Sequence, residues 1–143
     1  MKKSTTDPLV LDGSVALAWL FHDEKNAYAD KIIGKLPHLV FCVPRLWHLE
    51  ISNVLLISER RGRCSAADSA QWFTFLRQLP ILVDGETELR AWSDGAALAR
   101  QHQLTAYDAA YLELAIRTGH PLATLDAKLE SAAQAIGVSL YNP

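Results

Sequence analysis

The segment LVLDGSVALAWLF, residues 9–21, determines how the rest of the chain can be interpreted. Its first three residues form a short apolar run, as expected of a strand that is buried on both faces of a sheet. Asp12 ends that run, and the residues after Gly13 lack turn formers, so a helix should follow directly. A buried strand followed at once by a helix is the first unit of an alternating α/β chain.

The same alternation continues to the carboxyl end of the chain. Strands are predicted over residues 9–11, 39–43, 81–83, 121–125 and 138–141. Helices are predicted over residues 14–21, 26–36, 45–61, 65–79, 86–102, 106–117 and 127–136. This pattern is typical of an α/β fold in which helices cover both faces of a parallel sheet. Ligands bind such sheets beyond the carboxyl ends of the strands, where the strand order reverses.

The composition is that of an ordinary folded protein. Half of the 143 residues are apolar and 21% are charged, which excludes a disordered polyelectrolyte. We expect residues 1–7 to form a flexible polar tail and residues 8–143 to fold as a single domain. A net charge of -2 does not attract nucleic acid over the whole surface. An enzyme acting on nucleic acid would therefore need local or bound cations at its site.

The two cysteines, Cys42 and Cys64, lie in unrelated contexts with no histidine at zinc-ligand spacing beside them. This usage favours a reducing cytoplasm. The sequence contains no run of about 18 uncharged apolar residues that could span a membrane. It also lacks the motifs of nucleotide, dinucleotide, zinc-protease and serine-hydrolase sites.

Three acids stand where strands end or helices begin. Asp12 and Asp126 each follow a predicted strand, and Asp108 precedes an apolar helix in the segment TAYD. Because the carboxyl ends of parallel strands share one edge of a sheet, Asp12 and Asp126 should face the ligand crevice. The alternative is a capping role, since aspartate is a common N-cap and TAYD fits a capping box. Capping and metal binding are compatible, so both interpretations stay open.

Glu50 is the fourth acid, and it lies in a predicted helix, residues 45–61, that is apolar nearly all round. Such a helix should be largely buried, and a buried carboxylate is costly unless a cation or a donor compensates it. Glu50 should therefore meet a partner or line a crevice. The alternatives are a salt bridge with Arg45 or simple exposure beside Asn53.

Four carboxylates in one crevice would repel one another by about 4 kcal/mol per close pair, at about 4 Å and an effective dielectric constant of about 20. A divalent cation would remove that repulsion. Ligand sets made only of oxygen suit Mg²⁺ or Mn²⁺, which activate water and stabilise charge on a phosphoryl group.

Four segments, taken in order, resemble the PIN-domain family and within it the VapC-type toxins of bacterial toxin-antitoxin pairs. They are LVLDGS (9–14), PRLWHLEISNVL (44–55), LTAYDAAY (104–111) and LATLD (122–126). Together they span nearly the whole chain. One such motif would be weak evidence, whereas four in the same order are strong evidence.

The resemblance implies a PIN-like three-layer α/β sandwich with five parallel strands in the order 3-2-1-4-5. It implies a divalent-metal-dependent endoribonuclease that uses Mg²⁺ or Mn²⁺ and hydrolyses RNA. Its catalytic and metal-binding residues would be Asp12, Glu50, Asp108 and Asp126. Its supporting polar residues would be Ser14, Asn53 and Thr124. The resemblance further implies a cognate antitoxin that crosses the active-site groove, and a homodimer.

One departure from the family pattern and two alternative functions bear on this prediction. Some PIN domains carry a further acid beside the fourth one, but Asp126 is followed by Ala-Lys-Leu, which leaves a second metal ion without that ligand. A non-catalytic PIN-like binding module usually lacks one or more of the four acids, and all four are present here. A phosphoryl-accepting receiver domain would need paired acids after the first strand and a lysine near the last strand, and neither occurs.

The segment WFTFL, residues 72–76, is more aromatic than one face of a helix usually buries. We therefore expect helical surface outside the acid crevice to form the homodimer contact.

Overall fold

The computed structural model describes residues 6–143, and in that part of the chain the sheet has four strands. They are β1 (Asp7–Leu11), β2 (Leu39–Val43), β3 (Ile81–Val83) and β4 (Leu122–Ala123). Neighbouring strands are parallel throughout, in the order β3-β2-β1-β4. The chain leaves β1 toward β2 on one side and later returns to β4 on the other. The strand order therefore reverses at the β1–β4 pair, where a ligand crevice is expected.

Strand β1 lies in the centre of the hydrophobic core. Its residues Leu9, Val10 and Leu11 are all 0% exposed. Because successive residues of a strand point to opposite faces, both faces of the sheet are covered at this strand. The predicted α/β sandwich around a parallel sheet is thus confirmed.

The predicted fifth strand, residues 138–141, is wrong as a strand, because it is reduced to one parallel bridge between Leu140 and Leu122. The Leu122 N–H donates to the Ser139 carbonyl at 2.9 Å, and the Tyr141 N–H donates to the Leu122 carbonyl at 2.8 Å. The physical reason is the neighbouring strand: β4 has only two residues and offers too few backbone groups for a longer ladder. The segment still lies beside β4, as in the predicted order 3-2-1-4-5.

The predicted tail, residues 1–7, lies mostly outside the described residues. Asp7 is among the described residues and already belongs to β1, where it pairs with Leu39. Its N–H donates to the His38 carbonyl at 2.8 Å. The first strand therefore begins two residues before the predicted one.

The helices of the described region follow the predicted alternation. They are α1 (Gly13–Leu20), α2 (Ala27–Ile33), α3 (Trp47–Arg60), α4 (Ala66–Arg77), α5 (Thr87–Arg90), α6 (Ala96–His102), α7 (Ala106–Thr118) and α8 (Ala127–Ala135). A short 3-10 turn, His22–Glu24, lies between α1 and α2. Within residues 6–143, no helix is long and apolar enough to cross a bilayer.

The helix predicted over residues 86–102 is interrupted. Between α5 and α6, Ala91–Gly95 forms a π-helical turn. A Cβ at Gly95 would lie 3.1 Å from the Arg90 carbonyl oxygen, so a larger residue would press against this widened turn. Single π turns of this kind locally widen an otherwise α-helical segment.

Helix α3 is less buried than its sequence predicts. It buries the face that carries Trp47, Ile51 and Leu55, each at most 2% exposed. Leu49 is 75% exposed and Leu56 is 42% exposed. The expectation of a largely buried helix is therefore wrong, because helix α3 turns only one side to the core.

The aromatic segment of α4 packs inward rather than forming a surplus apolar surface. Leu76 is buried, and Trp72, Phe73 and Phe75 are half-buried against the core. The ring of Trp72 meets that of Phe21 edge-on, with their centroids 5.0 Å apart. The observation that suggested a dimer contact at residues 72–76 therefore does not hold in the folded chain.

Arg117 ties helix α7 to the connection between β3 and α5. Its guanidinium donates five hydrogen bonds of 2.6–3.1 Å, to the carboxylates of Glu113, Asp84 and Glu86. An arginine side chain has five N–H groups, and all of them are used here. The side chains of Arg117, Asp84 and Glu113 are only 18%, 11% and 7% exposed. The position of α7 therefore depends on a largely buried ion-pair network.

Candidate active site

A cleft of about 590 Å³ lies at the carboxyl edge of the sheet. All four predicted acids line it: Asp12, Glu50, Asp108 and Asp126. They come from four separate parts of the chain. Asp12 stands between β1 and α1, Glu50 lies in α3, Asp108 lies in α7, and Asp126 precedes α8. The fold therefore brings together acids that are far apart in the sequence.

The three predicted supporting residues lie at or behind the same cleft. Ser14 and Asn53 line it. Thr124 is buried behind Asp12, with a hydroxyl 2.7 Å from the Asp12 carboxylate. Asn53 lies one turn along α3 from Glu50, so both project from the same side of that helix.

Asp12 is the most deeply placed of the four acids, with 6% of its surface exposed. Its Oδ2 accepts hydrogen bonds from the hydroxyls of Ser14 and Thr124, both at 2.7 Å. In the described chain, no capping hydrogen bond joins the Asp12 side chain to α1, although the adjacent Gly13 N–H lowers the pKa of this carboxyl. Both hydroxyl bonds are on Oδ2, and Asp12 also lines the cleft.

The two hydroxyls are themselves oriented by the backbone. The Ser14 Oγ accepts the Leu125 N–H at 2.9 Å, and the Thr124 Oγ1 accepts the Asp126 N–H at 3.0 Å. A hydroxyl that already accepts an N–H directs its own proton elsewhere, and in both cases the proton points to Asp12. We call this arrangement of Ser14, Thr124 and the two amides the hydroxyl clasp.

Asp126 and Asp108 combine a place in the cleft with a place at a helix start. The Asp126 Oδ1 accepts the Leu129 N–H at 2.8 Å and so caps α8. Helix α7 is capped by the hydroxyl of Thr105, which accepts the Asp108 N–H at 3.1 Å. Capping and cleft lining therefore coexist at Asp126, whereas the Asp108 side chain lines the cleft and Thr105 supplies the cap of α7.

Glu50 is held by a residue that the sequence analysis did not single out. The hydroxyl of Tyr111, a residue that is 0% exposed, donates to Glu50 Oε1 at 2.9 Å. Arg45, the alternative partner of Glu50, instead pairs with Glu88 at 3.1 Å. Tyr111 follows Asp108 by three residues, which places both on one side of α7. That spacing is the signal in the sequence that could have indicated its role.

The electrostatics of the cleft disfavour four charged carboxylates. Burial raises the pKa of Asp12; the hydroxyls of Ser14 and Thr124 lower it in part, and the charge of Asp126 raises it further. Burial also raises the pKa of Glu50, with the Tyr111 hydrogen bond acting against it. The pKa of Asp108 is raised by burial and then by the other acids. The charge of Lys128 acts against these effects on Asp108 but does not outweigh them.

The donor chemistry of the cleft fits a hard divalent cation. The four side chains offer only carboxylate oxygen, the ligand type preferred by Mg²⁺ and Mn²⁺. The ion pairs found within residues 6–143 involve other acids, so the carboxylate of Asp12 stays buried without a cation. In the same region, no three His, Cys, Asp or Glu side chains stand in a ready metal-binding arrangement.

Fold and cleft together define a class of protein: parallel α/β domains with an acidic cleft at the point where the strand order reverses. Residues 9–135 match the family model of the PIN domain. The chain belongs to the PIN-domain family.

Individual relatives agree with this assignment. The chain is 29% identical over 121 residues to Ribonuclease VapC3 of Pyrobaculum aerophilum, which covers 85% of this chain and 91% of that protein. The crystal structure of PAE2754 from the same organism has a TM-score of 0.65 at 26% identity and covers 89% of this chain and 79% of that chain. VapC20 of Mycobacterium tuberculosis, described as a toxin that cleaves the sarcin-ricin loop, has a TM-score of 0.64. It is 17% identical and covers 94% of this chain and 99% of its own, so it supports the fold alone.

Proposed function

We propose that this protein is a divalent-metal-dependent endoribonuclease that hydrolyses phosphodiester bonds of RNA and acts as the toxin of a toxin-antitoxin pair. One observation carries the proposal: four carboxylates from separate parts of a PIN domain line a single cleft. The name of the relative Ribonuclease VapC3 supports the same activity. A non-catalytic binding module would have no evident need for four carboxylates whose burial and mutual repulsion are unfavourable.

The chain would supply the carboxylate ligands of the metal ion and would hold two of these side chains in a fixed orientation. Asp12, Glu50, Asp108 and Asp126 would hold Mg²⁺ or Mn²⁺, which when bound supplies positive charge for the phosphate and lowers the pKa of a water molecule. The hydroxyl clasp keeps Asp12 in one orientation, and Tyr111 does the same for Glu50. Ligands held in advance do not have to be ordered when the substrate arrives.

The proposed partners follow from the proposed activity. The substrate is RNA, and the neutralising partner is a cognate antitoxin protein that occupies the acid cleft. An enzyme that cuts RNA inside the cell acts in the cytoplasm, which agrees with two cysteines that form no disulfide.

A homodimer is part of the proposal, with its contact on apolar surface outside the cleft. Among the described side chains, Leu89 in α5 is 74% exposed, and Trp92 in the π-helical turn that follows is 96% exposed. Exposed apolar side chains that lie close together commonly mark an interface. We expect light scattering at micromolar concentration to give twice the mass of the chain. A clean monomer in that measurement would contradict the dimer without affecting the proposed activity.

The proposed activity predicts strict dependence on a divalent cation. Protein treated with excess EDTA should leave a labelled RNA intact, and added Mn²⁺ or Mg²⁺ should restore cleavage, because the acid cluster needs a cation to bind phosphate. Gel analysis of end-labelled RNA measures both states.

A contaminating nuclease is excluded by a matched variant. Asp108→Asn, purified in the same way, should stay inactive with Mn²⁺, whereas a contaminant would still cut. Wild-type cleavage that persists in excess EDTA would overturn the metal-dependent mechanism.

A further inference from the structure

A second, smaller cavity of about 150 Å³ adjoins the acid cleft. The two cavities share the side chains of Leu46 and Tyr107 in their linings. Beyond these two, its wall includes the small residues Ala91, Ala106 and Ala110, and also Arg90. We call this cavity the apolar slot. It lies next to the acids, yet it is lined by groups that suit a flat apolar ligand rather than a phosphate.

Tyr107 stands at the boundary between the slot and the acids. Its side chain is 62% exposed, although it directly precedes Asp108 in α7. Leu49, which is 75% exposed, lines the acid cleft beside Glu50. The cleft thus has acids within it and large apolar side chains on its rim. An aromatic ring left open to solvent beside an active site is available for stacking.

The polar side chains in the wall of the slot are Thr87, Arg90 and Glu113. The Nε of Arg90 is buried, and within residues 6–143 it finds no hydrogen-bond acceptor. The terminal nitrogens of Arg90 do have partners: Nη2 lies 3.3 Å from Glu86 and Nη1 lies 3.6 Å from Asp94. The nearest carboxylate oxygen to Nε, on Glu113, is 4.0 Å away, beyond hydrogen-bond distance. This nitrogen has almost no exposed surface, so it is not available to a molecule in the slot, and the slot presents mainly its apolar side chains.

We propose that the apolar slot binds one unstacked nucleobase of the RNA, next to the phosphate that lies at the acids. The inference rests on the proposed function. It adds a site for a base of the RNA, next to the site where the acids would hold the phosphate. A nucleobase is a flat aromatic ring that can stack on Tyr107 and pack against the small side chains of the slot. RNA-binding proteins commonly recognise bases that have left the stack in this way. The bases of an intact duplex would not reach the slot.

Mononucleotides test the slot without cleavage, because they contain no phosphodiester bond to cut. The probes are adenosine 5′-monophosphate and cytidine 5′-monophosphate, with ribose 5-phosphate as the probe that lacks a base. Each is titrated in Mg²⁺ by calorimetry or NMR. We expect at least one nucleotide to bind wild-type protein about 5- to 100-fold more tightly than ribose 5-phosphate.

Variants test whether the difference in affinity between nucleotides and ribose 5-phosphate arises in the slot. Tyr107→Ala should remove the preference for a base, and Tyr107→Phe should keep it, because phenylalanine preserves the stacking ring. Ala110→Leu fills the slot at a position outside the acid lining and should also remove the preference. Leu56→Ala removes an exposed apolar side chain of α3 that lies outside the linings of both cavities, and it should bind like wild type. Thermal unfolding confirms that each variant is folded.

Two outcomes would contradict base binding in the slot. One is equal affinity for nucleotides and ribose 5-phosphate, and the other is an unchanged preference for nucleotides in folded Tyr107→Ala. If folded Tyr107→Ala keeps the preference for a base and wild-type protein still cuts RNA, the proposed function holds and the base-binding slot is rejected. A preference for the base that depends on Tyr107, in a protein that cuts no RNA, would support the slot and contradict the ribonuclease. The two hypotheses are therefore tested separately.

Discussion

Asp12→Asn should abolish RNA cleavage while leaving the metal-free protein as stable as wild type or more stable. The asparagine side chain has nearly the same shape, and its carbonyl oxygen can accept the two hydroxyl bonds that Oδ2 accepts now. It removes one negative charge from a buried position where burial and Asp126 already raise the pKa of the carboxyl. The loss of a central metal ligand should lower the cleavage rate by about 100-fold or more.

The measurement is paired: thermal unfolding in EDTA, and cleavage of labelled RNA with Mn²⁺. Asp30→Asn is the matched control, since it makes the same change at an exposed position on α2, away from the cleft. It should leave both quantities unchanged. If Asp12→Asn cut RNA at the wild-type rate, Asp12 would not be a metal ligand. If the variant instead lost both stability and activity, the role of Asp12 would be structural.

Arg117→Met should lower the free energy of unfolding by about 3–5 kcal/mol, a large share of the stability of an ordinary domain. The substitution keeps much of the apolar stem but leaves Asp84 and Glu113, whose side chains are 11% and 7% exposed, without their cation. Denaturant unfolding measures the effect. Arg45→Met is the control, because the Arg45–Glu88 pair is 56% and 65% exposed and should contribute about 1 kcal/mol or less.

The pH dependence of unfolding gives a second test of the same network. Burial alone would raise the pKa of Asp84, but the hydrogen bonds and charge of Arg117 outweigh it and lower that pKa. A depressed pKa in the folded state stabilises the protein at neutral pH, and this contribution is lost as the pH falls below about 4. In Arg117→Met the same buried carboxylate destabilises the fold when charged, so acidification should cost less stability. Equal stability of wild type and Arg117→Met at pH 7 would contradict this account.

The sequence predicts the local features of this fold better than its contacts. The LVLD segment shows both a buried strand and the acid at its end, because burial on two faces leaves an uninterrupted apolar run. Asp12 and Asp126 can be assigned to one edge, because parallel strands end on the same side of a sheet. Glu50 is noticeable as a charge in an apolar helix. These predictions depend on neighbours in the sequence or on a simple rule of topology.

The wrong predictions concern features that a distant partner decides. The fifth strand depends on the length of β4, which its own residues do not reveal. Tyr111 and Glu50 are 61 positions apart; the spacing of Tyr111 from Asp108 indicates its side of α7, but not that its partner is Glu50. Likewise, the aromatic residues 72–76 resemble surplus surface until Phe21 is found beside Trp72. Tertiary packing thus decides burial and partner choice where local patterns allow several answers.

The hydroxyl clasp has a further consequence for motion. The two amides that orient its hydroxyls belong to Leu125 and Asp126, in the segment that leads from β4 to α8. A displacement of that segment would therefore carry the Asp12 carboxylate with it as well as Asp126. Thermal fluctuations of the two acids should be correlated, so that their separation varies less than the position of either one. We therefore expect two of the four cleft acids to move together, although more than a hundred residues lie between them in the chain.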